Sequence, residues 1–245
     1  MHKFFTNRIG ENFAYIEKED IRHLTRVLRI KSGDKIVIND FKGNDYIGII
    51  DDIDSDDIKV DLTEKLEENN ESGIKVTLFQ GFPKSNKLDL IVQKATELGI
   101  NVITPLLTDR VVVKNAKEFK KKDRLEKIAL ESSKQSKRSI IPTITDPINI
   151  KELEKLYKDF DVIIVPYENS EGYGIKDIYT KYEEVKNIAI VIGPEGGFSA
   201  GEIEFLKEIG SEVITLGKRI LRTETAGFVA LSFVQLIYGD MGGKA

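Results

Sequence analysis

The sequence predicts an α/β chain in two parts: a small β-rich domain over residues 1–70, and a larger domain over residues 73–245 built on a mostly parallel sheet. Three observations carry this prediction. Four short β-branched or alternating runs lie before residue 63 at a spacing of roughly ten residues, as in small barrels. Residues 64–72 are polar and lack periodicity, which marks a linker. After Gly73, strand-like runs alternate with helical periodicity, the pattern of a parallel sheet covered by helices on both faces.

In the first part the strands fall at residues 13–16, 35–38, 46–50 and 58–62, with turns at 32–34, 42–45 and 54–57. One helix interrupts them at 20–29, its apolar face marked by Ile21, Leu24 and Leu28. Arg22, Arg26 and Arg29 stand at i, i+4 and i+7 and form a second stripe on that helix. Three guanidiniums in a row either suit a phosphodiester backbone or pair with the domain's many acids.

In the second part, residues 74–79 read as a strand. Leu88, Ile91, Val92, Ala95 and Leu98 follow at helical spacing, and Gly99 stops the helix. Further strands are expected at 102–107, 162–165, 188–192 and 213–216. A helix is expected at 123–136, another behind the capping box of Ser199 and Glu202, and a last one reaching residue 238.

Composition removes several function classes. The 245 residues are 32% charged and 40% hydrophobic, as in globular chains. Cysteine is absent, so disulfides and thiolate metal sites are excluded, and His2 and His23 alone make a histidine-rich metal site unexpected. No signal-peptide core and no uninterrupted apolar run of about 18 residues is present, so a cytoplasmic location is the default expectation. The net charge of −4 argues against broad polyanion binding. Yet between Lys114 and Arg138 ten Lys/Arg face four acids, a local net of +6. That run is either a solvated helix face or a basic surface with a partner.

Two loops point to chemistry. The run 188–192 breaks at Gly193-Pro194-Glu195-Gly196-Gly197, and the run 213–216 breaks at Gly217. Both loops follow strands, and open α/β sheets bind ligands at strand carboxyl ends, so the two loops indicate one shared pocket. The first has neither the lysine nor the spacing of a phosphate loop. Its glycines permit positive φ and close backbone approach to a ligand. Ile220 and Leu221 stand among charged residues, either to flank an aromatic ligand ring or to pack under the loop. Thr223 or Thr225 can cap the last helix. Arg222 and Glu224 either pair with each other or face the pocket. Gln135 and Arg138 close the basic helix as neighbours at i and i+3. Gln can read the edge of a base, and Arg offers a fork for phosphate or an enolate-like oxygen.

Taken together, residues 193–197 and Leu216-Gly217-Lys218-Arg219-Ile220-Leu221-Arg222-Thr223-Glu224-Thr225-Ala226 resemble the RsmE family. These are SPOUT-class methyltransferases acting on N3 of a uridine in small-subunit (16S) ribosomal RNA with S-adenosylmethionine. His23-Leu24 with Val27-Leu28-Arg29 is similar to the family's N-terminal signature, and Gln93-Lys94-Ala95-Thr96-Glu97-Leu98-Gly99 to its first-helix motif. Arg110, Arg124 and Gln135 to Arg138 with Pro142 match in order and spacing, so the resemblance spans nearly the whole chain. Lys134 stands where Glu is frequent and Lys3 where Arg is usual, departures that bear on RNA contacts. A Trp often follows the position of Arg124 and is absent here.

The resemblance implies a SPOUT-type α/β domain with a deep trefoil knot, preceded by a PUA-like β-barrel that binds RNA. It implies a homodimer with the active site near the subunit interface. Membrane, DNA and metal partners are not expected. S-adenosylmethionine contacts are expected from Leu107, Ile192, Gly193, Glu195, Gly196, Leu216, Gly217, Ile220, Leu221 and Thr223. Arg138 and Arg222 would stabilise developing uridinate oxygens, and Gln135 would orient the base. Glu224, then Glu195, are the candidate acceptors of the N3 proton. RNA contacts are expected from Arg22, Arg26, Arg29, Lys94, Arg110 and Arg124. Two other readings stay open: a non-catalytic RNA-binding assembly factor, and a knotted methyltransferase acting on another atom or RNA.

Overall fold

The computed structural model describes residues 1–54, 56–67, 69–84, 87–111, 119 and 121–243. Ser55 of the third turn, Glu68 of the linker, and Lys114, Lys117, Glu118 and Lys120 of the basic run lie outside the described residues. The chain divides into two compact units, Met1–Glu71 with Leu130–Ile141, and Ser72–Ala129 with Pro142–Ala245.

The first unit is a five-stranded sheet of β1 (Lys3–Phe5), β2 (Phe13–Tyr15), β3 (Lys35–Asn39), β4 (Asp45–Ile53) and β5 (Ile58–Leu66), in the order β1-β3-β4-β5-β2. Only β1 and β3 pair in parallel. Residues just after β1 bond back to β2: Thr6 Oγ1 donates to the Tyr15 carbonyl at 2.7 Å, and the Tyr15 N–H to the Arg8 carbonyl at 2.9 Å. Phe4, Ile16, Leu24, Ile36, Ile38 and Ile58 form the core.

The helix expected over 20–29 starts earlier and changes pitch. Helix α1 (Lys18–Arg22) runs into a π-helical turn, His23–Leu28, which ends at Arg29 in the left-handed region, φ 53°. The wider turn takes Arg22, Arg26 and Arg29 off an ideal 3.6-residue stripe. All three are exposed, and none makes an ion pair among the described residues.

Residues 130–141 group with this unit because buried polar groups hold them there. Lys3 Nζ reaches Asp45 Oδ2 at 2.7 Å and the carbonyls of Lys137 and Arg138 at 2.9 and 3.1 Å. Asn39 Nδ2 donates to Asp45 Oδ1 and to the Ser139 carbonyl. Glu71 accepts the N–H groups of Ser139 and Ile140 and pairs with Arg138 Nη2 at 2.6 Å. Lys134 Nζ lies 2.9 Å from Asp20 and 3.0 Å from Glu131. Lys3 and Lys134, the two departures expected to bear on RNA, are therefore both engaged inside the unit. Each ammonium is largely buried beside a carboxylate.

The second unit has β6 (Lys75–Gly81), β7 (Val102–Leu107), β8 (Thr143–Ile144), β9 (Ile148–Asn149), β10 (Val162–Pro166), β11 (Asn187–Ile192) and β12 (Glu212–Ile214). Their order is β12-β10-β11-β6-β7-β8, with β9 on β7, and every pair is parallel. The helices are α2 (Lys87–Glu97), α3 (Lys122–Ser136, whose last residues belong to the first unit), α4 (Leu153–Leu156), α5 (Ile175–Lys181), α6 (Ala200–Glu208) and α7 (Thr223–Ile237). Residues 188–192 of β11 are uniformly apolar because the strand is buried on both faces. One face packs on α7, which also meets α2 and α5. The other buries Phe79, Val165 and Val191 against Phe198, Ile203 and Leu206. The capping box of α6 forms as expected, with Ser199 Oγ accepting from the Glu202 N–H and Glu202 Oε2 from the Ser199 N–H. Neither Thr223 nor Thr225 caps α7; its N-cap is Arg222, without a side-chain bond.

Candidate active site

Strands β12, β10 and β11 are neighbours, so the loops after their carboxyl ends converge. They enclose a cavity of about 400 Å³ within the second unit. Tyr167 and Glu168 enter from the end of β10, Gly193 to Glu195 from β11, and residues 215–223 from β12. This is where parallel α/β sheets bind ligands.

Both organising loops are tied down. Thr223 Oγ1 donates to the Gly193 carbonyl at 2.6 Å and accepts from Gln80 Nε2 at 2.8 Å. One hydroxyl thus joins β6, the first loop and the start of α7. A Cβ at Gly81 would lie 2.4 Å from Pro194 N, so the glycine lets β6 approach the loop backbone. Gly217 has φ 113°, and a Cβ there would meet nothing within 4 Å. A side chain at 217 would therefore be strained by the backbone rather than by crowding. Arg110 Nη1 donates to the Gly196 carbonyl at 2.7 Å and braces the first loop from outside.

The apolar residues differ in exposure. Ile192 is buried, Leu216 and Leu221 are half-buried, and Ile220 is 85% exposed, so Ile220 does not pack under its loop. Arg222 is exposed on the cavity wall. It does not pair with Glu224. Instead Lys87, at the start of α2, lies 3.1 Å from Glu195 Oε1 and 3.2 Å from Glu224 Oε2. Glu224 Oε2 is buried and has no aligned hydrogen bond, so its contact with Lys87 is one of charge. Burial pushes the Glu195 carboxyl up, but hydrogen bonds from its own N–H, from Lys87 and from the Lys84 N–H outweigh it and hold it below the usual carboxylate value. The Glu195 hydrogen bond in turn raises Lys87 above the ordinary lysine value, against the opposing effect of burial.

Of the residues singled out from sequence, Ile192, Gly193, Glu195, Leu216, Gly217, Ile220, Leu221, Arg222 and Thr223 line this cavity. Gly196 lies beside it, against Arg110. Leu107 lines a separate cavity with Thr108, Asp109 and Ile150. Gln135, exposed, and Arg138, buried against Glu71, belong to the first unit. Lys94 pairs with Glu97, and Arg124 with Asp89. The sequence reasoning missed Lys87, Tyr167, Glu168 and Phe198, all on the cavity wall. Tyr167 and Glu168 follow the run 162–165 after Pro166 alone, so the strand-end argument that found the other loops would have found them.

Comparison with known proteins bears on this geometry. Residues 70–235 match the model of the RNA methyltransferase domain, and residues 16–63 that of the RNA methyltransferase PUA domain. The chain is 36% identical to ribosomal RNA small subunit methyltransferase E of Bacillus subtilis over 92% of each chain. It is 35% identical to the protein of that name from Mesomycoplasma hyopneumoniae, over 95% of this chain and 98% of the relative. Among solved structures, a ribosomal RNA small subunit methyltransferase E from Neisseria gonorrhoeae bound to S-adenosylmethionine superposes with a TM-score of 0.87 at 28% identity, covering 99% of this chain and 100% of that one. A Legionella pneumophila chain solved with the same cofactor gives 0.83 at 28% identity, with 98% of each covered.

Proposed function

The chain belongs to the ribosomal RNA small subunit methyltransferase E family, and from that membership we propose that it methylates N3 of a uridine in 16S ribosomal RNA at the cavity beyond β10, β11 and β12. It is an S-adenosylmethionine-dependent methyltransferase of small-subunit ribosomal RNA, with a PUA-like first domain. The observation that carries the assignment of the site is the convergence of the 193–197 and 215–223 loops on one cavity.

The residues present fit the donor. The cavity falls within the size range of small-ligand sites, roughly 300–1,000 Å³. Its wall mixes apolar Ile192, Leu216 and Leu221 with backbone groups of Gly193 and Gly217. That mixture suits an adenosine ring gripped by main chain. A carboxylate at Glu195, held ionised by its partners, suits a cationic ligand. When bound, S-adenosylmethionine supplies an electrophilic methyl group on a sulfonium.

The chain's own residues do the rest. The uridine leaves its stack to bring N3 to the cavity. Arg222, exposed at the wall, faces the negative charge that develops on the uracil oxygens. Glu224 is the first candidate to take the N3 proton, at its buried Oε2, which has no aligned hydrogen-bond donor. Glu195, engaged by Lys87 and by the Lys84 N–H, is the second candidate. Gln135 and Arg138 belong to the first unit, where Arg138 already neutralises Glu71, so neither is assigned a role at this cavity. The homodimer, the trefoil-knotted thread and the cytoplasmic location belong to the same proposal.

Incubation with 30S particles lacking the modification, followed by mass spectrometry of nucleosides, tests the acceptor atom. The expected product is N3-methyluridine, and a methyl group on any other atom overturns the assignment. For the base, Glu224→Gln is expected to bind S-adenosylmethionine normally and to lose turnover at saturating donor. Normal turnover with weakened donor binding would make Glu224 a binding residue.

A further inference from the structure

Nothing in the comparisons or the motifs assigns a role to Lys87, yet it joins three segments of the second unit. Its ammonium touches Glu195 of the first loop and Glu224 in the first turn of α7. Glu195 also accepts the Lys84 N–H at 3.1 Å, so Lys84 is drawn to the same carboxylate. The side chains of Lys87, Glu195 and Glu224 are 30%, 24% and 13% exposed, so the contact is partly shielded from solvent. Two carboxylates that share one ammonium carry a combined charge of −1. Without the ammonium the pair would stand at −2, and like charges this close disfavour the ionisation of one member.

We propose that Lys87 is a positioning residue for methyl transfer: it couples the first loop to the start of α7 and offsets one of the two carboxylate charges that Glu195 and Glu224 bring beside a site for a cationic donor. The role rests on the functional reading above and adds to it a residue that touches neither reacting atom. Lys87 adds to the hydrogen bond from the Glu195 N–H in lowering the Glu195 carboxyl, and Glu195 is first among the groups that raise Lys87. Besides Lys87 and Glu195, the charged groups on the cavity wall are Glu168 after β10 and Lys218, Arg219 and Arg222 before α7, and Glu224 stands behind that wall. None of these four wall groups makes an ion pair with Glu195 or Glu224, so among the described residues no second cation pairs with either carboxylate.

The test is calorimetric binding of S-adenosylmethionine to the full-length protein between pH 6 and 8, a range set by histidine-free carboxylate and lysine chemistry. Wild type is expected to bind with an affinity that is flat across the range, since the Lys87 ammonium balances the carboxylate pair. Lys87→Gln keeps a hydrogen-bond donor and drops the charge. It is expected to match wild type at the alkaline end and to weaken as pH falls, approaching roughly tenfold per pH unit once a carboxylate titrates. Lys87→Arg is expected to restore the flat profile. Lys87→Gln/Glu224→Gln returns the site to a charge of −1 and is expected to lose the acidic limb. A flat profile for Lys87→Gln overturns the proposal, as does an acidic limb that persists in the double variant. Should Lys87→Gln fail to fold, folding of the double variant supports the charge argument, and failure of both reduces Lys87 to a structural contact and overturns it. Wild type that binds no S-adenosylmethionine at any pH overturns the functional reading itself, and this role with it.

Discussion

Thr223 offers the sharpest test of how the site is built. The hydroxyl of this residue, 6% exposed, is shared between the Gly193 carbonyl at 2.6 Å and Gln80 Nε2 at 2.8 Å. Thr223→Val keeps shape and β-branching and deletes both bonds. The Gly193 carbonyl then loses a buried donor, which costs about 1–3 kcal/mol, and Gln80 Nε2 retains only the Gly81 carbonyl at 3.1 Å, a loss of about 0.5–1.5 kcal/mol. The carbonyl lines a cavity that water can enter, so the lower half of the sum applies, roughly 2 kcal/mol. For a unit of this size each kcal/mol moves the midpoint by about 2–4 °C, which predicts a fall of about 4–8 °C. The first loop would also have to be ordered at the moment of binding, so the donor Kd is expected to rise about tenfold, equivalent to about 1.4 kcal/mol. Scanning calorimetry and titration calorimetry read the two effects. Thr225→Val, at an exposed neighbour in the same turn, is the control and is expected to stay within about 0.5 kcal/mol. A Thr223→Val protein with an unchanged midpoint and an unchanged Kd would refute the claim that this hydroxyl holds the loop.

Three further outcomes are expected. Glu71→Ala removes a carboxylate that pairs with the buried guanidinium of Arg138 and accepts the Ser139 and Ile140 N–H groups, and should destabilise the first unit by roughly 1–3 kcal/mol in denaturant unfolding. The triple change Arg22→Ala, Arg26→Ala and Arg29→Ala should leave unfolding unchanged, weaken RNA binding and reduce the log–log salt slope by about 2–3, at roughly 0.7–0.9 per phosphate contact, as read by filter binding at several salt concentrations. Burial and a hydrogen bond to Glu212 push the Tyr173 phenol up to about 12, so its tyrosinate absorbance should appear well above the ordinary range. Because the folded pKa is raised, the stability it contributes is complete below the unfolded value near 10 and is lost as pH rises from there through about 12.

The legible parts of the fold were those with local signals. The runs 188–192 and 102–107 are buried parallel strands, and burial on both faces is what makes a sequence read as unbroken apolar residues. Ser199 and Glu202 cap their helix because both bonds lie within four residues. What the sequence left hidden was non-local. Strand β1 is three residues long and acquires its place only by pairing with β3. The bonds from Lys3 to the backbone of 137 and 138 span more than 130 residues, so no periodicity announces them. Arg138 is a guanidinium flanked by polar residues, and every local rule assigns it to the surface. Its burial goes with the meeting with Glu71, far away in sequence. At the site, the cavity-lining glycines were readable from type and position. The pairing of Glu224 with Lys87 rather than with Arg222 was not, because Arg222 is nearer in sequence but points elsewhere.

The same division sorts the cations by purpose. In the first unit, Lys3, Lys134 and Arg138 are neutralised by Asp45, Asp20 and Glu71. In the second, Lys87 and Arg110 are spent on the loops of the cavity. Two stretches of exposed positive charge outside these contacts are Arg22, Arg26 and Arg29, and Lys218, Arg219 and Arg222. On a chain with a net charge of −4, such clusters cannot supply broad attraction to polyanions. They can hold a phosphodiester chain at defined points while the acidic remainder repels it elsewhere. That favours register over affinity, as expected of an enzyme that must select one nucleotide in a long RNA and then release it. The clusters also differ in surroundings. The first stands on a helix of the PUA-like domain, and the second surrounds an exposed Ile220 at the wall of the donor cavity. The first is therefore suited to grip the backbone alone, while the second joins charge to an apolar surface on which an unstacked base can rest.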